Sequence, residues 1–140
     1  MQCKPSHPLV LLVEDKQSIQ KVMRVLCQMF GFTLDCVNSE CEAISALGLC
    51  SVFEVILIDC GSVRIDGVEC ARQIRKLPHY RSVPIVALTE TADLNETSEL
   101  ALAGVQENLQ MPFTADEFRR ILIEWTHQRI PQHFKDIRRV

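Results

Sequence analysis

The chain of 140 residues has the length of one ordinary domain, and a chain of that length can bury roughly two thirds of its unfolded surface without disulfides. Its composition, with 47% hydrophobic and 24% charged residues, excludes an intrinsically disordered chain. The net charge of -3 excludes a global basic signature for nucleic acid, and no apolar run approaches the ~20 residues that span a bilayer.

Short apolar runs alternate with helical periodicity along the chain. In chain order we predict a strand at Val10–Val13, a helix at Ser18–Phe30, a strand at Thr33–Val37, a short helix through Ala43, Ile44 and Leu47, a strand at Val55–Ile58, a helix from Val68 to Leu77, a strand at Ile85–Leu88, a helix at Leu94–Ala103, a weak strand at Val105–Leu109 and a helix from Phe118 to Trp125.

Local signals mark the ends of several of these elements. Gly31 follows the first helix and can end it, and Pro78 stops the third helix. Capping boxes are predicted at Ser39 with Glu42 and at Thr114 with Glu117, ahead of the second and fifth helices.

Strands that alternate with helices indicate a parallel sheet covered on both faces. Sheets of this kind place their sites at the carboxyl ends of the strands, near the point where the strand order reverses. Three places in the chain satisfy that rule: Glu14–Asp15, Asp59–Cys60 and Thr89–Glu90.

The carboxylates of Glu14, Asp15 and Asp59 converge if their two strands are neighbours. Crowded carboxylates repel one another, so that one is protonated or a cation binds. Oxygen ligands of this kind suit Mg²⁺, and an aspartate in such a site can act as a nucleophile toward phosphorus. The alternative for Asp15 is a helix cap, because an acidic residue just after a strand often caps the next helix.

The seven cysteines have an odd count and form no Cys-x-x-Cys pair, and no histidine lies near them at ligand spacing. This pattern disfavours a zinc site. We predict that most of these cysteines are reduced, and that they pack as small hydrophobic residues in the core. Residues 1–8 lack the charged and apolar regions of a secretory leader, so the expected location is cytoplasmic.

Five fragments, in order and at matching spacing, resemble the receiver domain of bacterial response regulators and hybrid histidine kinases. The resemblance covers the chain from about Leu9 to Gln128. The fragments are Leu-Leu-Val-Glu-Asp at Leu11–Asp15, Val-Ile-Leu-Ile-Asp at Val55–Asp59, Asp66–Gly67, Pro-Ile-Val-Ala-Leu-Thr at Pro84–Thr89, and Met-Pro-Phe at Met111–Phe113.

The resemblance implies a flavodoxin-like fold with five parallel strands in the order 2-1-3-4-5. The receiver domain would span residues 9–128, with a tail at 1–8 and a basic extension or linker at 129–140 that carries Arg129, Lys135, Arg138 and Arg139. It also implies a signalling phosphoacceptor rather than an enzyme. Its partners would be a histidine kinase or phosphotransfer protein, with no direct contact to nucleic acid or membrane.

The resemblance also implies a role for each site residue. Asp59 would accept the phosphoryl group from a phosphohistidine. Mg²⁺ would be held directly by Asp15 and Asp59, through water by Glu14, and by the backbone carbonyl of Gly61. Thr89 would be the switch hydroxyl that meets the phosphoryl group.

The sequence departs from the family pattern at positions that matter for switching. Met111 stands at the position of the phosphate-contacting lysine, and Glu90, beside Thr89, stands where a small residue controls access. Asn108 replaces the aromatic switch residue, and Val63 replaces a proline in the loop after the acceptor. A phosphoryl group adds roughly -1.5 to -2 charges. We therefore expect weak or short-lived phosphorylation and a blunted switch.

Three functional hypotheses remain open at this point. The first is a receiver with an intact acceptor and impaired switching. The second is a pseudo-receiver, a protein-interaction module that acts independently of phosphorylation. The third is a hydrolase or phosphatase with Asp59 as nucleophile. Such an enzyme needs a general acid or base and a lysine or arginine near the phosphate. Arg64 lies in the loop after Asp59, but it has the character of a solvated charge.

The family resemblance places partner or homodimer contacts on the face built from the last two helices and the fifth strand. The alternative for this face is an ordinary solvated surface. The residues available to serve such contacts are Asn95, Glu99, Glu107, Arg119 and Arg120.

Overall fold

The computed structural model describes residues 8–49, 52–90 and 93–127. In chain order the elements are β1 (Leu9–Val13), α1 (Gln17–Met29), β2 (Thr33–Val37), α2 (Glu40–Leu49), β3 (Phe53–Asp59), α3 (Gly67–Arg75), a 3₁₀ turn (Pro78–Tyr80), β4 (Ile85–Thr89), α4 (Leu94–Leu102), β5 (Glu107–Gln110) and α5 (Ala115–His127). Of the predicted tail only Pro8 is described, and the predicted extension at 129–140 lies outside the described residues.

The strands form one parallel sheet of five in the order β2-β1-β3-β4-β5, which confirms the predicted fold. The chain crosses from β2 past β1 to β3, so the order reverses beside β1. The carboxyl ends of β1 and β3 are therefore adjacent at the point where such sheets bind ligands.

The core lies on both faces of the sheet, because neighbouring residues of a strand point to opposite sides. Val10 and Leu12 face the layer made by α1 and α5, where they pack with Met23 and Phe118. Leu11 and Val13 face the layer made by α2, α3 and α4. Both sides of β1 are thus buried, which explains why this strand reads as a continuous apolar run.

The predicted caps are present, with one difference. Gly31 follows α1 with a φ of +85°, a conformation that favours glycine. Thr114 and Glu117 form the reciprocal capping box of α5, with bonds of 3.1 Å and 2.8 Å. At α2 the amide of Glu42 donates to the Ser39 hydroxyl at 3.2 Å, but the Glu42 carboxylate accepts from the amide of Asn38 instead of Ser39.

Several predicted boundaries differ from the structure by two or three residues. β3 begins at Phe53 and not at Val55, and α5 spans Ala115–His127 and not Phe118–Trp125.

Two further differences have a local cause. The third helix ends at Arg75 and not at Leu77, because Pro78 starts a separate 3₁₀ turn and the preceding residue takes an extended conformation. The fifth strand begins at Glu107 and not at Val105. The amide of Val105 donates to the Leu100 carbonyl at 3.0 Å, so this residue still belongs to the turn that closes α4.

Candidate functional site

The carboxylates of Glu14, Asp15 and Asp59 meet at one edge of the sheet. Val13 of β1 pairs with Ile58 of β3, so the residues that follow each of them emerge side by side. One oxygen from each of the three carboxylates lies within 4.8 Å of the other two. The convergence expected from the strand ends is therefore present, and this is the one such cluster of potential metal ligands among the described residues.

Glu14 is fully buried and incompletely bonded. Its Oε2 accepts a hydrogen bond from the Lys16 amide at 3.0 Å, whereas the buried Oε1 has no hydrogen-bond partner. Burial first, and then the adjacent Asp59 carboxylate, raise the pKa of Glu14 from 4.5 to about 7. A buried carboxylate in this state needs a proton or a cation, so the cluster fits a bound Mg²⁺ on the chemistry of its donors.

Asp15 does not cap α1, so the alternative offered for it is wrong. The residue at the N-cap position is Lys16, and no side chain caps this helix end. Instead, Oδ1 of Asp15 accepts a hydrogen bond of 3.1 Å from the hydroxyl of Ser62, in the loop that follows β3. The contact directs Asp15 toward the carboxylate cluster.

The loop after Asp59 is hydrogen-bonded to the Asp59 carboxylate and to Asp15. The amide of Gly61 donates to Oδ1 of Asp59 at 2.9 Å, and the amide of Arg64 donates to the Ser62 hydroxyl at 3.1 Å. The loop then enters α3 at Asp66, whose side chain caps the helix by accepting from the Glu69 amide. α3 therefore begins at Gly67, one residue before the predicted start at Val68.

At two glycines in this stretch, a neighbouring side chain lies too close to leave room for a Cβ atom. A Cβ on Gly67 would collide with the thiol of Cys60. A Cβ on Gly61 would lie 2.8 Å from Cγ of Glu90, because the Glu90 side chain folds across this glycine. Glu90 itself is exposed, and it follows the buried Thr89 at the end of β4. The carboxylate of Glu90 thus lies over the loop that follows Asp59.

Met111 lies next to Thr89, but it presents no polar group there. Its amide donates to the Thr89 carbonyl at 2.7 Å, and its half-buried side chain packs against the core layer made by α1 and α5. The thioether carries no charge, so this position adds nothing to offset the carboxylates. Val63, at the expected proline position, is fully exposed.

Asn108 lies half-buried on β5, beside a cleft of about 130 Å³ between β5 and α4. On the side of β5 that faces α5, Glu107 accepts hydrogen bonds from the Trp125 indole at 2.6 Å and from Arg120 at 2.8 Å. Arg120 also pairs with Glu124 at 2.6 Å. Within the face predicted for partners, Glu107 and Arg120 therefore hold β5 to α5, while Asn95, Glu99 and Arg119 are exposed.

Only two of the five described cysteines have the buried environment that was predicted for most of the cysteines. Cys27 and Cys70 are buried, Cys36 and Cys60 are half-buried, and Cys41 is exposed; all five are free thiols. Burial raises the pKa of Cys27, Cys60 and Cys70 to about 12, so these thiols are poor nucleophiles. Cys3 and Cys50 lie outside the described residues.

Sequence reasoning missed Ser62. A serine two residues before an exposed arginine in a loop is typical of a solvated turn, yet this serine is buried and bonded to Asp15. Its spacing from the end of a buried strand was the available signal, since loops at that edge face the site. Arg64 is 82% exposed, as expected, but its Nε lies 4.0 Å from Oδ2 of Asp15.

Within residues 8–49, 52–90 and 93–127, no helix is both long and apolar enough to cross a membrane.

The sequence model for the response regulator receiver domain matches residues 10–123. Among curated proteins, the sensor protein GacS of Pseudomonas syringae pv. syringae is 28% identical over 122 residues, which cover 85% of this chain and 13% of GacS. The transcription factor SKN7 of Saccharomyces cerevisiae is 31% identical over 123 residues, covering 87% of this chain and 19% of that protein. The chain thus spans a small part of these relatives.

Solved structures show the same fold. The receiver domain of the sensor histidine kinase PA1611 from Pseudomonas aeruginosa PAO1, with a magnesium ion coordinated in its active-site cleft, has a TM-score of 0.78 and 30% identity, covering 86% of this chain and 98% of that one. The chemotaxis protein CheY4 of Vibrio cholerae has a TM-score of 0.80 at 23% identity, covering 86% and 99%. By sequence and by structure, the chain belongs to the response regulator receiver domain family of two-component systems.

Proposed function

We propose that this receiver accepts a phosphoryl group on Asp59 in a His-Asp phosphorelay. The observation that carries the proposal is the buried Oε1 of Glu14, which has no partner and lies within a cluster that includes the acceptor. In its ionised form a buried carboxylate oxygen without a donor is unfavourable, so above the raised pKa of Glu14 it needs a cation in place of the proton. It is accounted for if a cation completes the site.

Mg²⁺ is the cation that we propose, held directly by Asp15 and Asp59, through water by Glu14, and by the carbonyl of Gly61. When bound, Mg²⁺ would offset negative charge on the carboxylates and on the phosphoryl oxygens. The magnesium ion in the similar receiver domain of PA1611 supports this choice. The Ser62 hydroxyl, bonded to Asp15, would keep that ligand directed at the site.

The transfer itself would be a displacement at phosphorus. An oxygen of Asp59 forms the new bond, while the bond from phosphorus to the donor nitrogen or oxygen breaks and the donor leaves with that electron pair. The Gly61 amide, which donates to Oδ1 of Asp59, fixes the orientation of the carboxylate for this step. The hydroxyl of Thr89 would then meet the phosphoryl group from the end of β4.

Phosphorylation should be weak or short-lived. Met111 supplies no charge, and Glu90 extends over Gly61 beside the acceptor. With Asn108 in place of an aromatic residue, the switch that links the site to β5 would be blunted. The chain would act as a signalling acceptor, with no chemistry of its own beyond self-catalysed phosphorylation and dephosphorylation.

The packing of Met111 also favours a second candidate function, a pseudo-receiver that binds partners independently of phosphate. In the first function the donor is a histidine kinase or phosphotransfer protein in the cytoplasm. In either function the face formed by α4, β5 and α5 would hold a partner or a second copy of the chain. The exposed Asn95, Glu99 and Arg119 are available to it.

The deciding experiment is incubation with Mg²⁺ and acetyl phosphate, followed by intact mass over time. An added phosphoryl mass that is absent in Asp59→Asn would support the receiver function. Its lifetime would measure the combined effect of Met111 and Glu90. No mass gain together with no detectable Mg²⁺ binding would reject it in favour of the pseudo-receiver.

A further inference from the structure

We propose that Arg64 supplies the positive charge toward the incoming phosphoryl group that Met111 does not supply. The proposal rests on the function proposed above, and it assigns a role to a loop residue on the side of the site opposite β5. Four observations lead to it.

The first observation concerns position 111, where methionine provides no positive charge. The half-buried Met111 side chain packs against the core layer made by α1 and α5 and presents no charge. The site therefore holds the carboxylates of Glu14, Asp15 and Asp59, with Glu90 close by at Gly61, and no lysine beside Thr89. Bound Mg²⁺ would offset only part of the charge of these carboxylates, and a phosphodonor is itself an anion, so its approach remains unfavourable unless a further cation is present.

The second observation is the bonding of the loop that carries Arg64. The Ser62 hydroxyl donates to Oδ1 of Asp15 at 3.1 Å and accepts from the amide of Arg64 at 3.1 Å. The buried Ser62 thus joins the backbone of Arg64 to a carboxylate of the cluster. The starting point of the Arg64 side chain is therefore fixed relative to the site.

The third observation is the position of the guanidinium. Nε of Arg64 lies 4.0 Å from Oδ2 of Asp15, and the side chain is 82% exposed. An open cleft of about 400 Å³ adjoins it, lined by Asp15, Lys16, Gly61, Ser62, Val63 and Arg64. The guanidinium stands in solvent at the mouth of this cleft, with donors free to turn toward an anion that enters.

The fourth observation is the asymmetry of charge about Gly61. Glu90 covers this glycine from the β4 side, whereas the cleft on the other side is bordered by Arg64 and Lys16. An anionic donor is repelled from the first side and attracted to the second. Lys16 is the weaker candidate, because the ion pair to Asp15 is made by Arg64.

In the reaction with acetyl phosphate, a bond forms between phosphorus and an oxygen of Asp59. The bond between phosphorus and the acetate oxygen breaks, and acetate leaves with that electron pair. Arg64 donates hydrogen bonds to phosphoryl oxygens and keeps its own protons throughout. The arginine would lower the repulsion between donor and carboxylates, and so would raise the rate of transfer.

The test compares phosphorylation rates by intact mass in Mg²⁺ and acetyl phosphate for the unaltered chain and for Arg64→Ala, Arg64→Lys, Arg64→Glu and Lys16→Ala. Arg72→Ala is the matched control, because Arg72 is an exposed arginine on α3 that pairs only with Glu69 among the ion pairs described. We expect Arg64→Ala to slow transfer about tenfold, which is the effect of losing one charge-assisted hydrogen bond. Arg64→Glu should be slower still, Arg64→Lys should stay within about threefold, and the effect of Lys16→Ala should be smaller than that of Arg64→Ala.

A double variant separates this role from a structural one. In a Met111→Lys background the lysine provides the cation, so adding Arg64→Ala should change the rate less than about twofold. A second readout is the rise in melting temperature caused by Mg²⁺ with beryllium fluoride, a phosphoryl mimic; it should be smaller in Arg64→Ala. The melting temperature without these additions should be unchanged, because an exposed ion pair contributes little to stability.

The outcomes distinguish the two proposals. If the unaltered chain gains mass and Arg64→Ala gains it equally fast, the role of Arg64 is wrong and the receiver function stands. If Lys16→Ala slows transfer more than Arg64→Ala, the cation is Lys16 and the role of Arg64 is again wrong. If the unaltered chain gains no mass through Asp59, the role of Arg64 is wrong; if it also shows no Mg²⁺ binding, the receiver function fails as well.

Discussion

The Glu14 side chain is buried against Asp59, with its Oε1 enclosed and without a hydrogen-bond partner. β1 and β3 are neighbours in the sheet, and they deliver both residues to the same edge. The fold therefore brings two carboxylates together, although their negative charges repel each other. The first two predictions concern the ways in which this conflict is relieved.

Replacing Glu14 with glutamine should stabilise the metal-free protein at high pH. The pKa of Glu14 is raised from 4.5 to about 7 on folding, chiefly by burial, so its contribution to stability is full below about pH 4.5 and is lost as the pH rises through about 7. Glu14→Gln should therefore match the unaltered chain near pH 4.5 and exceed its free energy of unfolding by about 2–3 kcal/mol at pH 8.

This prediction is checked by urea denaturation in EDTA across that pH range. Glu99→Gln, a change at an exposed glutamate of α4, is the control and should show no pH-dependent gain. A constant difference between Glu14→Gln and the unaltered chain from pH 4.5 to 8 would contradict the prediction.

Magnesium should stabilise the chain through Asp15. A ligand that binds only the folded state adds about 2.7 kcal/mol at one hundred times its dissociation constant. Asp15→Asn should remove most of this gain, while Asp35→Asn, at an exposed position of β2, should retain it. Because Glu14 holds a proton below about pH 7, the apparent affinity for Mg²⁺ should rise as the pH passes through that value. Thermal unfolding with and without Mg²⁺ measures both effects, and equal gains in the two variants would exclude Asp15 as a ligand.

A lysine at position 111 should speed the phosphorylation of Asp59. The aliphatic part of lysine can cover the same core layer that the half-buried Met111 contacts, while the longer side chain turns its ammonium group out of that layer toward the phosphoryl oxygens. We expect the rate with acetyl phosphate to rise about tenfold and the free energy of unfolding to fall by about 1 kcal/mol or less. Met29→Lys adds the same charge at an exposed position of α1 and should leave the rate unchanged. An equal rise in both variants would mean that net charge, and not position, controls the rate.

A tyrosine at position 108 should not restore switching by itself. Asn108 adjoins the cleft between β5 and α4, so an aromatic ring there has space beside it, but Met111 would still leave the phosphoryl group without its lysine. Hydrogen exchange of α4 and β5, measured with and without acetyl phosphate, should be unchanged in Asn108→Tyr and should change in Asn108→Tyr with Met111→Lys. Phosphate-dependent exchange or partner binding in the single variant would show that Met111 is not the dominant defect.

The buried strands, and the edge of the sheet at which the carboxylates lie, could be predicted because both follow from burial, whereas the strand order that makes β1 and β3 neighbours was implied by the resemblance to receiver domains. The apolar run Val10–Val13 is explained by a strand covered on both faces, and parallel strands bring their carboxyl ends to one edge. Gly31 could be predicted as a helix end because its backbone conformation favours glycine. These signals are local, or they depend on a period that the sequence displays directly.

The remaining features depend on contacts between distant parts of the chain. Ser62 is bonded to Asp15, 47 residues away, and no local pattern distinguishes it from a solvated serine. Glu90 was recognised as an unusual residue for its position, but its fold across Gly61 depends on a neighbouring loop. Val105 has strand propensity, yet the hydrogen bond that closes α4 keeps it in the turn.

The contact between Cys60 and Gly67 has a consequence for the sequences that this loop can accept. Gly67 does not have a positive φ, so its backbone would tolerate other residues, and the obstacle is the thiol that already fills the adjacent space. The two positions therefore share a single volume. An alanine at position 67 requires a glycine at position 60 or a Cys60 side chain that has turned away. Because Cys60 follows Asp59 directly, the size of the side chain at position 67 is linked to the geometry of the loop that follows Asp59.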